Sequence, residues 1–224
     1  MKDRSILLVS QGLVHPSLPC RFFLSRALGA MPGYRFRRVS TLEALPELSL
    51  DSFRAIVLYL HTETISPGAL ERLEAFVSEG GGLLAVHAAS ASFMGEERYF
   101  DILGGRFVEH GPIEMFEVRP VAPGPDAPQD EVFRDIPAFS VKDELYRHEY
   151  DPDNTIHFYT LVGDEREPVV WTRTVPSGGP EQAGPGRVCY FSLGHTLSSM
   201  RHPQVWQILQ RSLAWVCRGE EAMA

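Results

Sequence analysis

Residues 55–89 read AIVLYLHTETISPGALERLEAFVSEGGGLLAVHAA, and this stretch decides the fold. Ala55–Leu60 is a short continuous apolar run, the pattern of a strand buried on both faces. Ser66-Pro67 opens a helix with proline at its first position, where the missing N–H costs nothing. Leu70, Leu73, Phe76 and Val77 then recur at helical spacing. Gly80-Gly81-Gly82 stops that helix, and Leu83–Val86 is the next buried strand. Strand, helix and strand in this order predict a right-handed crossover in a parallel sheet.

Working outward, Ser5–Ser10 (SILLVS), bounded by Gly12, is a further buried strand. Pro16–Ala30 carries Phe22, Phe23, Ala27 and Leu28 at helical spacing and is stopped by Met31-Pro32-Gly33. Tyr34–Val39 is weaker and more basic, as an edge strand would be. The expected class is therefore α/β, a doubly wound, mostly parallel sheet. From residue 112 to residue 180 the character changes. Prolines concentrate there, as in Pro120–Pro125, and Ile113–Arg119, Phe139–Tyr146, Thr155–Val162 and Pro168–Thr174 look like strands without long helices between them. These predict a β-rich insertion, approximately residues 105–180, antiparallel or mixed and packed on the sheet edge. Arg187–Ser192 returns as an apolar strand and Pro203–Val216 as the closing helix, with Trp206, Leu209, Leu213 and Val216 on one face. No internal repeat is visible, so one domain over residues 1–224 is the economical expectation.

The chain has 224 residues, 44% hydrophobic and 22% charged, which is too apolar for a disordered chain. Lys and Arg number 21 against 29 Asp and Glu, for a net charge of -8. That balance argues against nucleic acid or an anionic membrane as partner, both of which need a clustered positive field. No run approaches the ~18 apolar residues of a membrane span, and Ile6–Val9 is too short for a signal segment. Three cysteines, Cys20, Cys189 and Cys217, form no CxxC pair and suggest neither a disulfide framework nor a zinc knuckle. A cytoplasmic protein is the expectation.

In open α/β sheets ligands bind outside the carboxyl ends of the strands. The residues just after each expected parallel strand are Gln11, Gly12 and His15; His61, Thr62 and Glu63; His87 with Ala88-Ala89-Ser90; and Gly194-His195-Thr196. Four of the eight histidines thus fall at one edge, where imidazoles serve as ligands, bases or donors. Each also has an ordinary structural role open to it: a core histidine at 87, a strand cap at 195, solvated loop residues at 15 and 61. His148, His157 and His202 are expected at the surface. Asp143-Glu144-Leu145-Tyr146 sets two acids and a phenol in an otherwise apolar strand, where an unpaired carboxylate is costly. Alternation puts Glu144 and Tyr146 on one face and Asp143 on the other, making Glu144 the expected inward acid; the competing role is a salt bridge to Arg106 or Arg147. Gly80-Gly81-Gly82 precedes a strand and lacks GK[ST], so it is a helix stop and no phosphate loop. Gly178-Gly179-Pro180 and Gly184-Pro185-Gly186 are loop punctuation.

Gly80–Ala89 (GGGLLAVHAA), Leu103–Phe107 (LGGRF) with His110, Asp143–Tyr146 (DELY), Pro168–Trp171 (PVVW) and Gly186–Thr196 (GRVCYFSLGHT) together resemble the ThuA-like, or trehalose-utilisation, proteins. The resemblance runs in order over roughly residues 4–217. It implies a flavodoxin-like fold of the class I glutamine amidotransferase type and an association with sugar, particularly disaccharide, utilisation. In that superfamily a cysteine nucleophile occupies the strand-to-helix elbow; here His87 stands there, and none of the three cysteines is placed to substitute. Thiolate chemistry needs an exposed turn with a base in reach, so glutaminase activity is not expected.

What remains is a histidine and carboxylate site with two readings. In one, His87 and His195, with Glu144 or His110, bind a divalent metal such as zinc and leave an open position. In the other no cofactor is bound, and a histidine works as base beside Glu144 as acid. The expected catalytic residues are His87, Glu144 and His195, and the expected metal ligands are His87, His110 and His195. His15, His61, Glu63, Tyr146 and Trp171 are expected to line a site for a sugar-related small molecule. Phe93 and Tyr99 are further aromatic candidates. Whether the chain turns its ligand over or is a non-catalytic sugar- or partner-binding module stays open, as does homo-oligomer formation.

Overall fold

The computed structural model describes residues 4–12, 15–122, 131–178 and 184–218; the expected loops at Pro123–Pro125 and Gly179-Pro180 lie outside them. Chain order is β1 (Arg4–Gln11), α1 (Leu18–Gly29), β2 (Tyr34–Val39), β3 (Phe53–Leu60), α2 (Pro67–Ser78), β4 (Gly82–Val86), α3 (Glu97–Leu103), β5 (Gly105–His110), β6 (Glu114–Pro120), β7 (Phe139–Asp143), β8 (Tyr146–Tyr150), β9 (Thr155–Val162), β10 (Glu165–Val175), β11 (Gly186–Phe191), α4 (Leu197–Met200) and α5 (Pro203–Val216). One sheet has the order β2-β1-β3-β4-β11-β10-β9-β6-β7, and β5 pairs with β8 in a separate ribbon. The strands from β2 through β11 are parallel; from β10 onward every pairing is antiparallel.

The parallel half is built from residues that alternate between two cores. Ile6, Leu8, Val57, Leu84 and Phe191 pack with Leu24 and Leu28 of α1 and Leu209 and Leu213 of α5. Leu7, Val9, Leu58, Leu83 and Tyr190 face the other way, against Leu70, Leu73 and Phe76 of α2 and Leu103 of α3. Burial on both faces explains why these strands are continuous apolar runs. The helix layers sit close. A Cβ at Gly82 would lie 2.3 Å from the Val216 carbonyl oxygen of α5, so only glycine admits that approach.

The β-rich middle lies at the sheet edge and is antiparallel, as expected: β10 hydrogen-bonds to β11, and β10, β9, β6 and β7 continue the same sheet. The expected strand Phe139–Tyr146 is two strands, because the chain leaves the ladder at Glu144-Leu145. β8 then pairs with β5 instead. His148 and His157, expected at the surface, are buried at 9% and 4% exposure, while His202 is half-buried. Among the described residues no helix is long and apolar enough to cross a membrane.

Burial of His157 carries a stability consequence. Its Nε2 is 2.7 Å from Thr172 Oγ1, and desolvation lowers its pKa from 6.5 to about 3. Below pH 6.5 the unfolded chain takes up a proton at this position that the folded chain refuses. The stabilisation present above pH 6.5 is therefore lost as pH falls toward 3, at up to about 1.4 kcal/mol per pH unit. His157→Gln keeps a hydrogen-bonding side chain and removes the titration. Urea unfolding between pH 7 and pH 4 is expected to show a shallower loss in this variant than in wild type; an identical slope would exclude the assignment.

Candidate functional site

β4 delivers His87 to the carboxyl edge of the sheet in a left-handed turn, with φ +51°. A residue with a Cβ is strained there and needs its surroundings to hold it. Three contacts do so. His87 Nδ1 donates to the Ser192 carbonyl at 2.8 Å, and the His87 carbonyl lies 3.0 Å from the Tyr190 hydroxyl and 3.3 Å from Ser90 Oγ. Behind Tyr190 runs a buried chain: its hydroxyl is 3.0 Å from His148 Nε2, and His148 Nδ1 is 2.9 Å from Glu167 Oε1. Arg147 pairs with Glu167 Oε2 at 3.0 Å. Burial lowers the His148 pKa despite Glu167, and it holds His87 well below the usual imidazole range. His87 is thus neutral, its Nδ1 proton committed to Ser192 and its Nε2 lone pair free to point outward.

β11, the neighbour of β4, leads into Gly194-His195-Thr196. Gly194 adopts φ +129°, and the turn is pinned by a buried carboxylate. Asp143 accepts the N–H of Gly194 at 2.7 Å, of Thr196 at 3.2 Å and of Glu144 at 3.1 Å. Desolvation pushes Asp143 up to about 6 against these donors. The break between β7 and β8 overturns the alternation expected for the two acids: Asp143 and Glu144 are both buried, at 0% and 6% exposure. Arg21 holds the loop after β1, bonding Ser10 Oγ at 3.0 Å, the Ser10 carbonyl at 2.6 Å and the Gly12 carbonyl at 2.7 Å.

These elements bring His15, His87, Glu144 and His195 together, with one ligand-type atom from each within 4.8 Å of all the others. His15 Nε2 is 2.7 Å from His195 Nδ1 and 3.6 Å from Glu144 Oε2. Glu144 Oε2 is 3.6 Å from His87 Nε2 and 3.0 Å from His195 Nδ1. Yet His87 Nε2 and Glu144 Oε2 are buried without a hydrogen-bond partner. Donors around a tetrahedral zinc with ~2.0–2.1 Å bonds stand about 3.3 Å apart. The spacing and the chemistry of this set fit such an ion. Burial lowers the His195 pKa, with Glu144 opposing and His15 and His110 reinforcing, which favours the neutral, ligating form.

Some expected residues take other places. His110, expected as a ligand, lies on the outer side: its Nδ1 is 3.7 Å from Glu144 Oε1 and 2.7 Å from the Gly111 carbonyl, and its side chain is 40% exposed. His15 stands in the cluster instead. Neither Arg106 nor Arg147 pairs with Glu144; they meet Glu97, Glu149, Glu165 and Glu167. Tyr146 lies over His87 with ring centroids 4.3 Å apart, and burial with the Glu144 charge raises its pKa, keeping it a phenol. His61 is 6.0 Å from His15, ring to ring, at the rim. Trp171, expected to stack on a sugar, is fully buried and donates Nε1–H to the Leu103 carbonyl at 2.9 Å; it belongs to the core. Phe93 and Tyr99 are core residues as well. Asp143, Arg21 and the His148–Glu167 pair support the site from outside the expected set; of these only His148, two residues from Tyr146 on the buried face of β8, carries a readable signal in the sequence.

A flavodoxin-like α/β sheet bearing a histidine cluster on its carboxyl edge is the class these observations define. Residues 5–216 match the model of the ThuA family, described as trehalose utilisation, and the chain belongs to that family. Solved structures similar to it include a ThuA-like protein from Bacteroides uniformis, 18% identical, covering 95% of this chain and 91% of that one with a TM-score of 0.73. Another, from Parabacteroides merdae, is 18% identical and covers 96% of this chain and 90% of that one with a TM-score of 0.75. A β-galactosidase from Bacillus circulans sp. alkalophilus is 13% identical and shares the fold over 96% of this chain and 31% of its own length, with a TM-score of 0.58. No curated protein matches the chain.

Asp143 bonds backbone N–H groups and is not one of the four clustered side chains, so its substitution separates support from ligation. Asp143→Asn leaves one acceptor oxygen where two served three N–H groups. A loss of about 1–3 kcal/mol in unfolding free energy is expected, with a weaker grip on any metal at His195. Equal stability and equal metal affinity would show that the turn does not depend on this carboxylate.

Proposed function

We propose that this chain binds one divalent metal ion such as zinc through His15, His87 and His195, with Glu144 beside it, and acts on a carbohydrate or related polyhydroxylated small molecule. The observation that carries the reading is the pair of buried, unpartnered atoms, His87 Nε2 and Glu144 Oε2, turned toward two further imidazoles. A buried polar atom without a partner is costly, and a shared cation removes that cost for both atoms at once.

The site is open on one side, which suits turnover better than a sealed structural ion. The side chains of His15 and His195 are 27% and 19% exposed. A bound zinc would supply Lewis acidity to a substrate or water oxygen. Glu144 presents Oε2 to the cluster and Oε1 toward His110, so it can take a proton on the inner side and pass it to a histidine that meets solvent. Tyr146 covers His87 and keeps water from its far face. Hydrolysis and isomerisation of a sugar both use such a pairing. With His87 at the elbow and all three cysteines buried, glutaminase chemistry has no nucleophile. Buried thiols and a net charge of -8 suit a cytoplasmic protein acting on a small molecule.

A metal-free reading draws on the 2.7 Å contact between His15 and His195, which is complete as a hydrogen bond between two imidazoles. The non-catalytic alternative predicts stabilisation by a sugar without turnover. Metal content decides the first point. Protein stripped with chelator and reloaded is expected to take up one zinc per chain, and His87→Ala to weaken that affinity about 100-fold or more. Equal zinc binding by wild type and His87→Ala, or none by either, would overturn the metal reading.

A further inference from the structure

The carboxyl edge of the parallel sheet continues past the histidines toward β2. There a cavity of ≈ 640 Å³ is lined by the segments that follow β2, β1 and β3, together with Phe93. Its polar wall includes Gln11, Glu43, Thr62, Glu63, Thr64 and Ser66, and no Lys or Arg is among its lining residues. It adjoins the cluster: the N–H of His61 bonds the Gln11 carbonyl at 3.3 Å, and the His61 ring is 6.0 Å from that of His15. It also lies at the point where the strand order reverses between β1 and β3, the place where α/β sheets take their ligands.

We infer that this cavity is the binding groove for the part of the substrate remote from the reacting centre, and that it selects uncharged polyhydroxylated molecules while rejecting phosphorylated or carboxylated ones. The inference rests on the reading of the His/Glu cluster as the reacting centre. The wall offers amide, hydroxyl and carboxylate groups, which hydrogen-bond sugar hydroxyls in both directions. Two carboxylates on a wall without cations repel an anion. The feature that would otherwise attract one, the amino end of α2, is already taken. Glu43 accepts the backbone N–H of Ser66 at 2.9 Å and the Ser66 hydroxyl, Ser66 Oγ in turn caps the N–H of Ala69 at 3.3 Å, and Pro67 has no N–H to give. Glu43 therefore fills the position in which a phosphate would sit.

The test is calorimetric binding of sucrose, maltose, lactose and trehalose, and of sucrose 6-phosphate and trehalose 6-phosphate, to zinc-loaded protein, with zinc content measured on the same samples. At least one uncharged disaccharide is expected to bind, with its phosphate ester at least tenfold weaker. Glu63→Gln and Glu43→Gln, which keep the shape of the wall and a hydrogen-bonding partner for Ser66, should each narrow that gap, and the double variant should reduce it below about threefold without changing zinc affinity. A phosphate ester that binds as tightly as its parent, a panel in which nothing binds, or a gap untouched in the double variant would overturn the inference. Because zinc is measured separately, wild-type protein that holds zinc but shows no preference for the uncharged sugar defeats the groove alone, whereas absence of zinc defeats the reading on which it rests.

Discussion

An imidazole nitrogen and a carboxylate oxygen, both out of water and both lacking a donor or acceptor, face each other at His87 and Glu144. Nothing in a relaxed interior keeps two such atoms there unless the backbone around them is fixed. Most of the surrounding structure can be understood as that fixation. Ser192 commits one side of the His87 ring, Tyr190 and Ser90 hold its carbonyl, and Asp143 locks the turn that brings His195 alongside. The five parallel strands supply the common edge on which these loops meet.

The scaffold explains why an imidazole can stand at the elbow. A left-handed residue at the end of a central strand projects its side chain outward, away from the sheet, whatever that side chain is. In the resembled superfamily the projecting group is a thiol with a base in reach. Here it is a ring whose pKa burial has driven well below its usual range, so it offers a lone pair and not a nucleophilic sulfur. Cys20, the thiol nearest this edge, is buried and lies 3.6 Å from the His195 carbonyl, facing backbone and not a substrate.

Most of the fold was legible because the sheet is buried on both faces, and double burial writes itself as runs such as SILLVS, AIVLYL and LLAV. The edge strand Tyr34–Val39 and the closing helix Pro203–Val216 have the bounds expected of them, since each begins or ends at a proline, a glycine or a change in periodicity. The histidines at the strand ends followed from topology alone. What the sequence did not carry was the break at Glu144-Leu145: no glycine or proline marks it, and it is made by β8 leaving the sheet to pair with β5. That break sends both acids inward, and it is why strand alternation does not mark Asp143 as a support. That His15 and not His110 joins the cluster depends on tertiary contacts such as those of Arg21, which no local pattern encodes.

Electrostatics ties the parts into one arrangement. Burial lowers the pKa of both His87 and His195, so these rings bring little charge to the cluster, and Glu144 sets a carboxylate beside them. A second carboxylate could compete with Glu144 for that role, but Asp143 spends both oxygens on backbone N–H groups and so stabilises the turn without entering the cluster. Further along the edge Glu43 is likewise committed, to the first residues of α2, while Glu63 stays exposed. The acids of this edge are thus divided by their hydrogen bonds into those that hold backbone, Asp143 and Glu43, and those that do not, Glu144 and Glu63. Of the latter, only Glu144 is buried deeply enough for its charge to act at close range on the atoms beside it, since screening by water weakens an exposed carboxylate such as Glu63.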